Sequence, residues 1–259
     1  MNIVFCNEGR FSSGFAEYAQ ASGVELKVLY VGGLLNGVST IHDLLADHAG
    51  LKLIYYISGE TSVQQRMYLM NYHLPRIIFE YCVKHDIRFV YLSSLAVFVG
   101  NYDGFINRNS NFKAIDSYGR SKIKFDEYVI TSGYKNYCAI HPASFYSNNG
   151  RSSYERLTEI ISSIPVLFRA IKFPGRISYV DVKRVYEELI SVGVYSPHNR
   201  LILACNIPID DVVSSSYKVF NTRIFVPSLP SWFFKCCSLF FTSRFIYKIR
   251  LFLQDIIYE

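Results

Sequence analysis

The feature that most constrains the fold of this chain is a regular alternation of short apolar runs with longer segments whose apolar residues recur at helical spacing. Such alternation is typical of βαβ units, and it predicts an α/β fold with a doubly wound parallel sheet covered by helices on both faces. The predicted strands are 2–5, 25–30, 51–57, 89–92, 137–141 and 177–180, and the predicted helices between them are 14–22, 64–85 and 117–132.

The last third of the chain alternates more weakly. We therefore predict a core over residues 1–147 and a small C-terminal substrate lobe over 148–259, although the strand and helix near 177–192 could pack back on the core. The lobe should contain helices over 151–170 and 182–192 and a short strand over 201–204. Segment 102–116 is rich in Asn, Gly and Asp and is predicted to be an irregular loop.

The tail, residues 224–259, interleaves aromatic and aliphatic side chains with Lys235, Arg244, Lys248 and Arg250. This composition could form an interfacial helix that lies on an anionic membrane. The same pattern also fits a pair of helices that close the lobe or form a homodimer face, which is the commoner use of amphipathic helices. Both interpretations stay open from the sequence.

Composition and charge exclude several classes of protein. The chain has 259 residues, of which 50% are hydrophobic, so one large core can form. No run of membrane-spanning length is free of charge, and the N-terminus lacks a basic region followed by a cleavage site, so we expect a cytoplasmic protein, peripheral at the inner membrane face if the tail binds lipid. The net charge of +6 comes from scattered residues and predicts no nucleic-acid partner. Cysteines and histidines lack metal-ligand spacing, so no metal site is predicted.

The residues that indicate chemistry are Ser94, Tyr118 and Lys122. Ser94 follows the predicted strand 89–92, and Tyr118 and Lys122 lie one helical turn apart at the start of the helix over 117–132. A nearby ammonium favours the phenolate and lowers the tyrosine pKa, which suits general acid/base work, and a serine hydroxyl could hydrogen-bond the same substrate oxygen. This set predicts interconversion of an alcohol and a ketone.

With these residues in place, the chain resembles the extended short-chain dehydrogenase/reductase family, in particular the NAD-dependent epimerase/dehydratase group that modifies nucleotide sugars. The segments that carry the resemblance are 89–94, 118–122, 140–142 and 145–147, together with Asn71. The resemblance implies a Rossmann-type fold, an enzyme with Ser94, Tyr118 and Lys122 as catalytic residues, and a nucleotide-sugar substrate, with the guanidinium groups of Arg151, Arg156 and Arg176 as candidate clamps for its diphosphate.

The resemblance also implies a dinucleotide cofactor, NAD or NADP. The predicted contacts are Gly9, Arg10, Phe11, Ser58, Gly59, Tyr118, Lys122, Pro142 and Ser144. The glycine-rich turn is altered, because the family's three glycine positions hold Asn7, Arg10 and Ser13. Loss of the acidic residue after the second strand, with Arg10 nearby, favours NADP.

Two functions follow as hypotheses. The first is an NAD(P)-dependent oxidoreductase or epimerase that acts on a nucleotide-linked sugar in surface polysaccharide (O-antigen or capsule) biosynthesis; the residues do not separate epimerase, reductase and dehydratase. The alternative, suggested by the altered turn, is a catalytically degraded Rossmann-type scaffold that recruits partners or a membrane through its C-terminal tail.

Overall fold

The computed structural model describes residues 1–34, 39–46, 50–146, 170–195, 198–216 and 222–259. Contact clustering divides the chain into two units, each assembled from three segments. Unit 1 contains residues 1–94, 117–141 and 183–201, and unit 2 contains residues 95–116, 142–182 and 202–259. The helix predicted over 151–170 lies outside the described residues, apart from its last position, as do Arg151 and Arg156.

The described residues contain a six-stranded central sheet. Its strands are β1 (Asn2–Cys6), β2 (Leu26–Tyr30), β3 (Leu53–Tyr56), β4 (Arg88–Leu92), β6 (Tyr137–Pro142) and β10 (Arg200–Leu203), in the spatial order β10-β6-β4-β3-β1-β2. The pairs β1–β2, β1–β3, β3–β4 and β4–β6 are parallel. The strand order therefore reverses direction at β1, and the crevice between the ends of β1 and β3 is the topological switch point, where open α/β sheets bind ligands.

Helices cover both faces of this sheet. They are α1 (Arg10–Ala21), α2 (Ser39–Ala46), α3 (Gln64–Tyr68), α4 (Leu74–His85), α5 (Ser117–Thr131) and α6 (Val182–Val194), with one π-helical turn at Leu69–His73. Phe15 of α1 meets Tyr55 of β3 with ring centroids 5.4 Å apart, whereas Phe79 of α4 meets Phe89 of β4, also at 5.4 Å. Tyr55 pairs with Val90 in register, so the adjacent Phe89 points to the opposite face. The predicted doubly wound α/β fold is therefore confirmed.

Unit 2 has three small sheets among its described residues. A three-stranded sheet has the order β11-β9-β7, and two strand pairs are β12–β8 and β13–β5. The strands are β5 (Phe105–Ile106), β7 (Ser144–Tyr146), β8 (Ile171–Lys172), β9 (Arg176–Asp181), β11 (Cys205–Pro208), β12 (Ile224–Phe225) and β13 (Ile257–Tyr258). Its helices are α7 (Ile209–Ser216), α8 (Ser231–Cys237) and α9 (Ser243–Leu253). No helix within the described ranges is long and apolar enough to cross a membrane.

Several predicted elements differ from the structure. The strand predicted over 177–180 is β9 of the three-stranded sheet, and the strand predicted in the lobe over 201–204 is β10 of the central sheet. The loop predicted over 102–116 contains strand β5, which pairs in parallel with the C-terminal β13. The first helix begins at Arg10 rather than at residue 14, because the polar segment that looked like a long turn already has helical hydrogen bonding, with Ser13 N donating to Gly9 O at 3.1 Å. The turn after β1 is consequently only three residues long, and it brings the start of α1 close to the end of the strand.

Candidate functional site

The side chain of Asn7, the first residue after β1, bridges the ends of β1 and β3 at the switch point. Asn7 Nδ2 donates to the backbone oxygen of Gly59 at 2.7 Å, and its Oδ1 accepts a hydrogen bond from Ser58 Oγ at 2.7 Å. Ser12 Oγ donates to the backbone oxygen of Asn7 at 2.6 Å. Asn7 thus ties the end of β1 to the loop after β3, and it brings the predicted residues Ser58 and Gly59 to the turn.

The start of α1 can accept an anion. Gly9 is its N-cap residue, no side chain caps the helix, and its first turn contains no acidic residue. A helix N-terminus of this kind presents backbone N–H groups and the positive end of the helix dipole. A Cβ at Gly9 would meet no heavy atom within 4 Å, so the space beside the turn is open. Arg10 and Phe11, both predicted as cofactor contacts, are the first two residues of this helix.

Gly14 allows α1 and α6 to pack closely. A Cβ at this position would lie 2.6 Å from the hydroxyl oxygen of Tyr186 in α6, which is too close for any real contact. The same hydroxyl donates to the backbone oxygen of Phe11 at 2.9 Å, and the rings of Phe11 and Tyr186 have centroids 5.2 Å apart. Gly14 therefore allows α6 to hold the first turn of α1 in place, as a glycine for close packing does in dinucleotide folds.

Asn71 connects the loop after β3 to helix α5. It lies in the π-helical turn, is only 1% exposed, and forms hydrogen bonds with both the amide and the carbonyl of Glu60, at 3.0 and 2.8 Å. Its Nδ2 also lies 2.9 Å from Ser121 Oγ, and that hydroxyl donates to the backbone oxygen of Tyr118 at 2.7 Å. These hydrogen bonds show that Asn71 holds the loop after β3 against the start of α5. It does so from a π-helical turn, an element that is often found at functional sites.

Lys122 lies at the centre of unit 1. Its side chain is buried, and Nζ donates to the backbone oxygens of Leu92 at 3.0 Å and Ser58 at 3.4 Å. A Cβ at Gly59 would stand 3.2 Å from this Nζ, so the glycine gives the ammonium room. Burial lowers the pKa of Lys122 to about 8, although the charge of Asp126 acts in the opposite direction. The ammonium therefore remains mostly protonated at neutral pH.

Tyr118 and Ser94 both lie close in the chain to residues of this arrangement. Tyr118 is the second residue of α5, one turn before Lys122, and Ser94 is the second residue after β4, whose last carbonyl accepts from Lys122. Both side chains are half-buried. The lysine is thus brought together with Ser58 and Gly59 of the loop after β3, and it lies on the same helix as the predicted acid/base tyrosine.

Sequence reasoning missed Asp126. This carboxylate is 1% exposed and accepts hydrogen bonds of 2.6 Å from both Tyr91 and Ser93, while His141 Nε2 lies 3.4 Å away. Burial raises the pKa of Asp126, but the electrostatic interaction with His141 and the hydrogen bonds outweigh it and hold that pKa below its usual value. Asp126 comes four residues after Lys122, so the spacing Tyr118, Lys122, Asp126 on one helical face was the available signal.

Three of the predicted site residues that the structure describes belong to unit 2. Pro142 is the last residue of β6, and Ser144 is the first residue of β7. Arg176, predicted to clamp a diphosphate, begins β9, and its Nε lies 2.5 Å from Asp255 Oδ1. The guanidinium of Arg176 is therefore already engaged with a carboxylate.

Comparison with known proteins gives one family-model match and several solved structures with this fold. The model of the RmlD substrate binding domain matches residues 57–167. The structure of a dTDP-4-dehydrorhamnose reductase from Clostridium acetobutylicum has a TM-score of 0.67 at 13% identity, covering 83% of this chain and 79% of that one. The Bacillus anthracis dTDP-4-dehydrorhamnose reductase in complex with NADP gives 0.66 at 13% identity, covering 89% and 87%.

A third similar structure is the Helicobacter pylori ADP-L-glycero-D-manno-heptose-6-epimerase, with a TM-score of 0.63 at 15% identity, covering 86% of this chain and 84% of that one. At such low identities the likeness concerns the fold. It confirms the Rossmann-like α/β architecture predicted from the alternation of strands and helices.

Proposed function

We propose that this chain is an extended-type short-chain dehydrogenase/reductase that uses a nicotinamide dinucleotide to modify a nucleotide-linked sugar. The observation that carries the proposal is the burial of Lys122 one helical turn from Tyr118, with its ammonium fixed on the last carbonyl of β4, just before Ser94. A buried, charged lysine is costly for stability, and such groups are concentrated at functional sites. The match to the RmlD substrate binding domain over residues 57–167 supports the same function.

The turn after β1 supports the cofactor proposal. The open space at Gly9, the uncapped start of α1 and Arg10 in its first turn would hold the diphosphate of a dinucleotide, in a region of the sheet that commonly binds ligands. When bound, the nicotinamide would supply or accept a hydride. Strand β2 is followed by Val31 and Gly32 rather than by an acid, which favours NADP over NAD.

The catalytic residues have separable roles in the proposed reduction. Tyr118 would give its phenolic proton to the ketone oxygen of the substrate, and Ser94 would hold that oxygen by a hydrogen bond. The ammonium of Lys122 stabilises the phenolate that remains and is also proposed to hold the nicotinamide ribose. We propose that Pro142 and Ser144 lie near the nicotinamide. Arg151, Arg156 and Arg176 are proposed to contact the diphosphate of the sugar nucleotide.

The dTDP-4-dehydrorhamnose reductases described above support reduction of a nucleotide-linked keto sugar rather than epimerisation or dehydration, and surface polysaccharide biosynthesis is the setting that we propose for it. The test is the consumption of NADPH with dTDP-4-dehydrorhamnose as a first substrate of this class. Tyr118→Phe should abolish turnover and leave NADPH affinity unchanged, because the ring stays and only the proton donor is lost. Turnover by Tyr118→Phe at the wild-type rate would refute the assigned mechanism.

A second candidate function is a Rossmann-type binding protein without turnover. It is favoured by Asn7, because this side chain occupies a glycine position and bridges the two strand ends across the crevice. The two candidates differ in one measurable property, which is saturable dinucleotide binding. Asn7→Gly should leave an enzyme's NADPH affinity similar or improved, whereas it should create binding in a protein that Asn7 has closed.

A further inference from the structure

Helices α8 and α9 and the turn between them expose a cluster of large apolar side chains. Phe240 is 81% exposed, Leu239 78% and Trp232 65%, and Phe241 and Phe245 are also exposed. We call these five residues the aromatic cluster. Scattered exposed apolar residues are normal in proteins, whereas these five lie on two consecutive helices and the turn between them, with the ring centroids of Phe241 and Phe245 5.3 Å apart. Exposed apolar residues grouped in this way mark an interaction surface.

The exposure is not a property of a loose terminus, because the opposite face of the same helices is anchored in unit 2. Phe234 and Ile246 are each 1% exposed. Arg250 is equally buried; its guanidinium donates to the backbone oxygen of Asn101, and its Nε lies 2.6 Å from Gln254 Oε1. The helix pair therefore has one face that belongs to the fold and another that displays the aromatic cluster.

The turn that carries the most exposed residues is also well ordered by hydrogen bonds. The amides of Leu239, Phe240 and Phe241 donate to carbonyls of Cys236 and Cys237 at 3.0–3.1 Å. Thr242 then caps α9 by accepting from the amide of Phe245 at 3.4 Å. The backbone that carries the cluster is thus fixed by hydrogen bonds, so little backbone entropy remains to be lost on binding.

The charged side chains in the sequence segment that contains α8 and α9 are all basic. Between Val212 and Gln254 the sequence contains no acidic residue, while it contains Lys218, Arg223, Lys235, Arg244, Lys248 and Arg250. Lys235, Arg244 and Lys248 lie on the helix pair itself and are exposed. A self-complementary contact with a second copy would bring these like charges together, which disfavours a homodimer through this face.

We propose that the aromatic cluster and its three basic neighbours bind the surface of an anionic lipid bilayer. Phe and Leu side chains gain by entering the boundary between headgroups and acyl chains, tryptophan is favoured at that interface, and lysine and arginine bind the anionic headgroups. This binding is independent of the proposed catalysis. It would hold the protein, with whatever it acts on, at a membrane.

The experiment uses the intact protein and Trp232, which is its only tryptophan and lies in the aromatic cluster. We expect sedimentation with vesicles of phosphatidylcholine and phosphatidylglycerol, accompanied by a blue shift of tryptophan emission. Vesicles of phosphatidylcholine alone should bind roughly a hundredfold more weakly, given about a fivefold preference for each of the three basic residues near an anionic surface. Equal binding to both vesicles, or to neither, would overturn the proposal.

Two variants separate the apolar and basic contributions. Leu239→Ser with Phe240→Ser should abolish the emission shift, while the matched control Val194→Ser, at an exposed residue of unit 1, should bind as wild type. Lys235→Gln with Arg244→Gln should weaken partition into anionic vesicles by roughly thirtyfold. Circular dichroism confirms folding of each variant. If instead the wild type is dimeric and the Leu239/Phe240 variant monomeric, the face is a protein interface and the proposal is wrong.

Discussion

Replacing Lys122 with methionine should stabilise the protein when no cofactor is bound, although it removes a residue proposed to be catalytic. An unfolded lysine has a pKa of about 10.4, whereas burial lowers the pKa of Lys122 to about 8. The difference means that the charged lysine costs the folded state about 3 kcal/mol at neutral pH. Two hydrogen bonds, to Leu92 and Ser58, are lost in the variant and contribute about 1 kcal/mol each. The expected net gain is about 1 kcal/mol.

The pH dependence of the unfolding free energy tests this prediction more sharply than a measurement at one pH. Between about pH 8 and pH 10 the unfolded wild-type chain binds a proton at Lys122 that the folded chain has released, so wild-type stability rises with pH in that window. Lys122→Met lacks this contribution. Its advantage in unfolding free energy, measured in urea, should therefore shrink by about 2 kcal/mol between pH 7 and about pH 9.5.

Lys124→Met is the matched control, because Lys124 lies on the same helix and is exposed. Comparison with wild type at each pH removes the contribution of all other titrating groups. A stability difference for Lys122→Met that does not change with pH would refute the idea that this ammonium is held in a desolvated site.

Three further predictions concern other buried contacts. Asp126→Asn should lower the pKa of Lys122 further, because the carboxylate raises it, and should move the corresponding limb of the pH–rate profile to lower pH. Gly14→Ala should destabilise the protein by about 1–3 kcal/mol in urea unfolding, and Tyr186→Phe should restore part of that loss by removing the hydroxyl it meets. Arg250→Met should lower the free energy of unfolding by about 3 kcal/mol in the same assay, because the part-buried carbonyls of Val99 and Asn101 lose their hydrogen-bond donor.

The sequence predicted the central sheet well because buried parallel strands are short continuous apolar runs, and those over 89–92 and 137–141 recur as β4 and β6 within a residue or so. Strand β5 could not be predicted in this way. It has two residues, and its partner β13 lies about 150 positions away in the chain, so no local pattern marks it.

The residues of the candidate site likewise divide into those that the sequence could predict and those that it could not. Tyr118 and Lys122 could be found because one helix carries both at a fixed spacing. Asp126 shares that helix, but its role depends on Tyr91, Ser93 and His141, which come from two strands and meet only in the folded chain. Likewise, the hydrogen bond from Asn7 to Gly59 could not be predicted, because the two residues meet only in the folded chain.

The measurement that bears most directly on the proposed function is a titration of the purified protein with NADPH and NADH, followed by calorimetry or nicotinamide fluorescence. We predict saturable binding, tighter for NADPH, that weakens when Arg10 is replaced with alanine. Absence of binding to either nucleotide at millimolar concentration would contradict the proposed enzyme, because the turn between Asn7 and Gly14 would then be closed to dinucleotides.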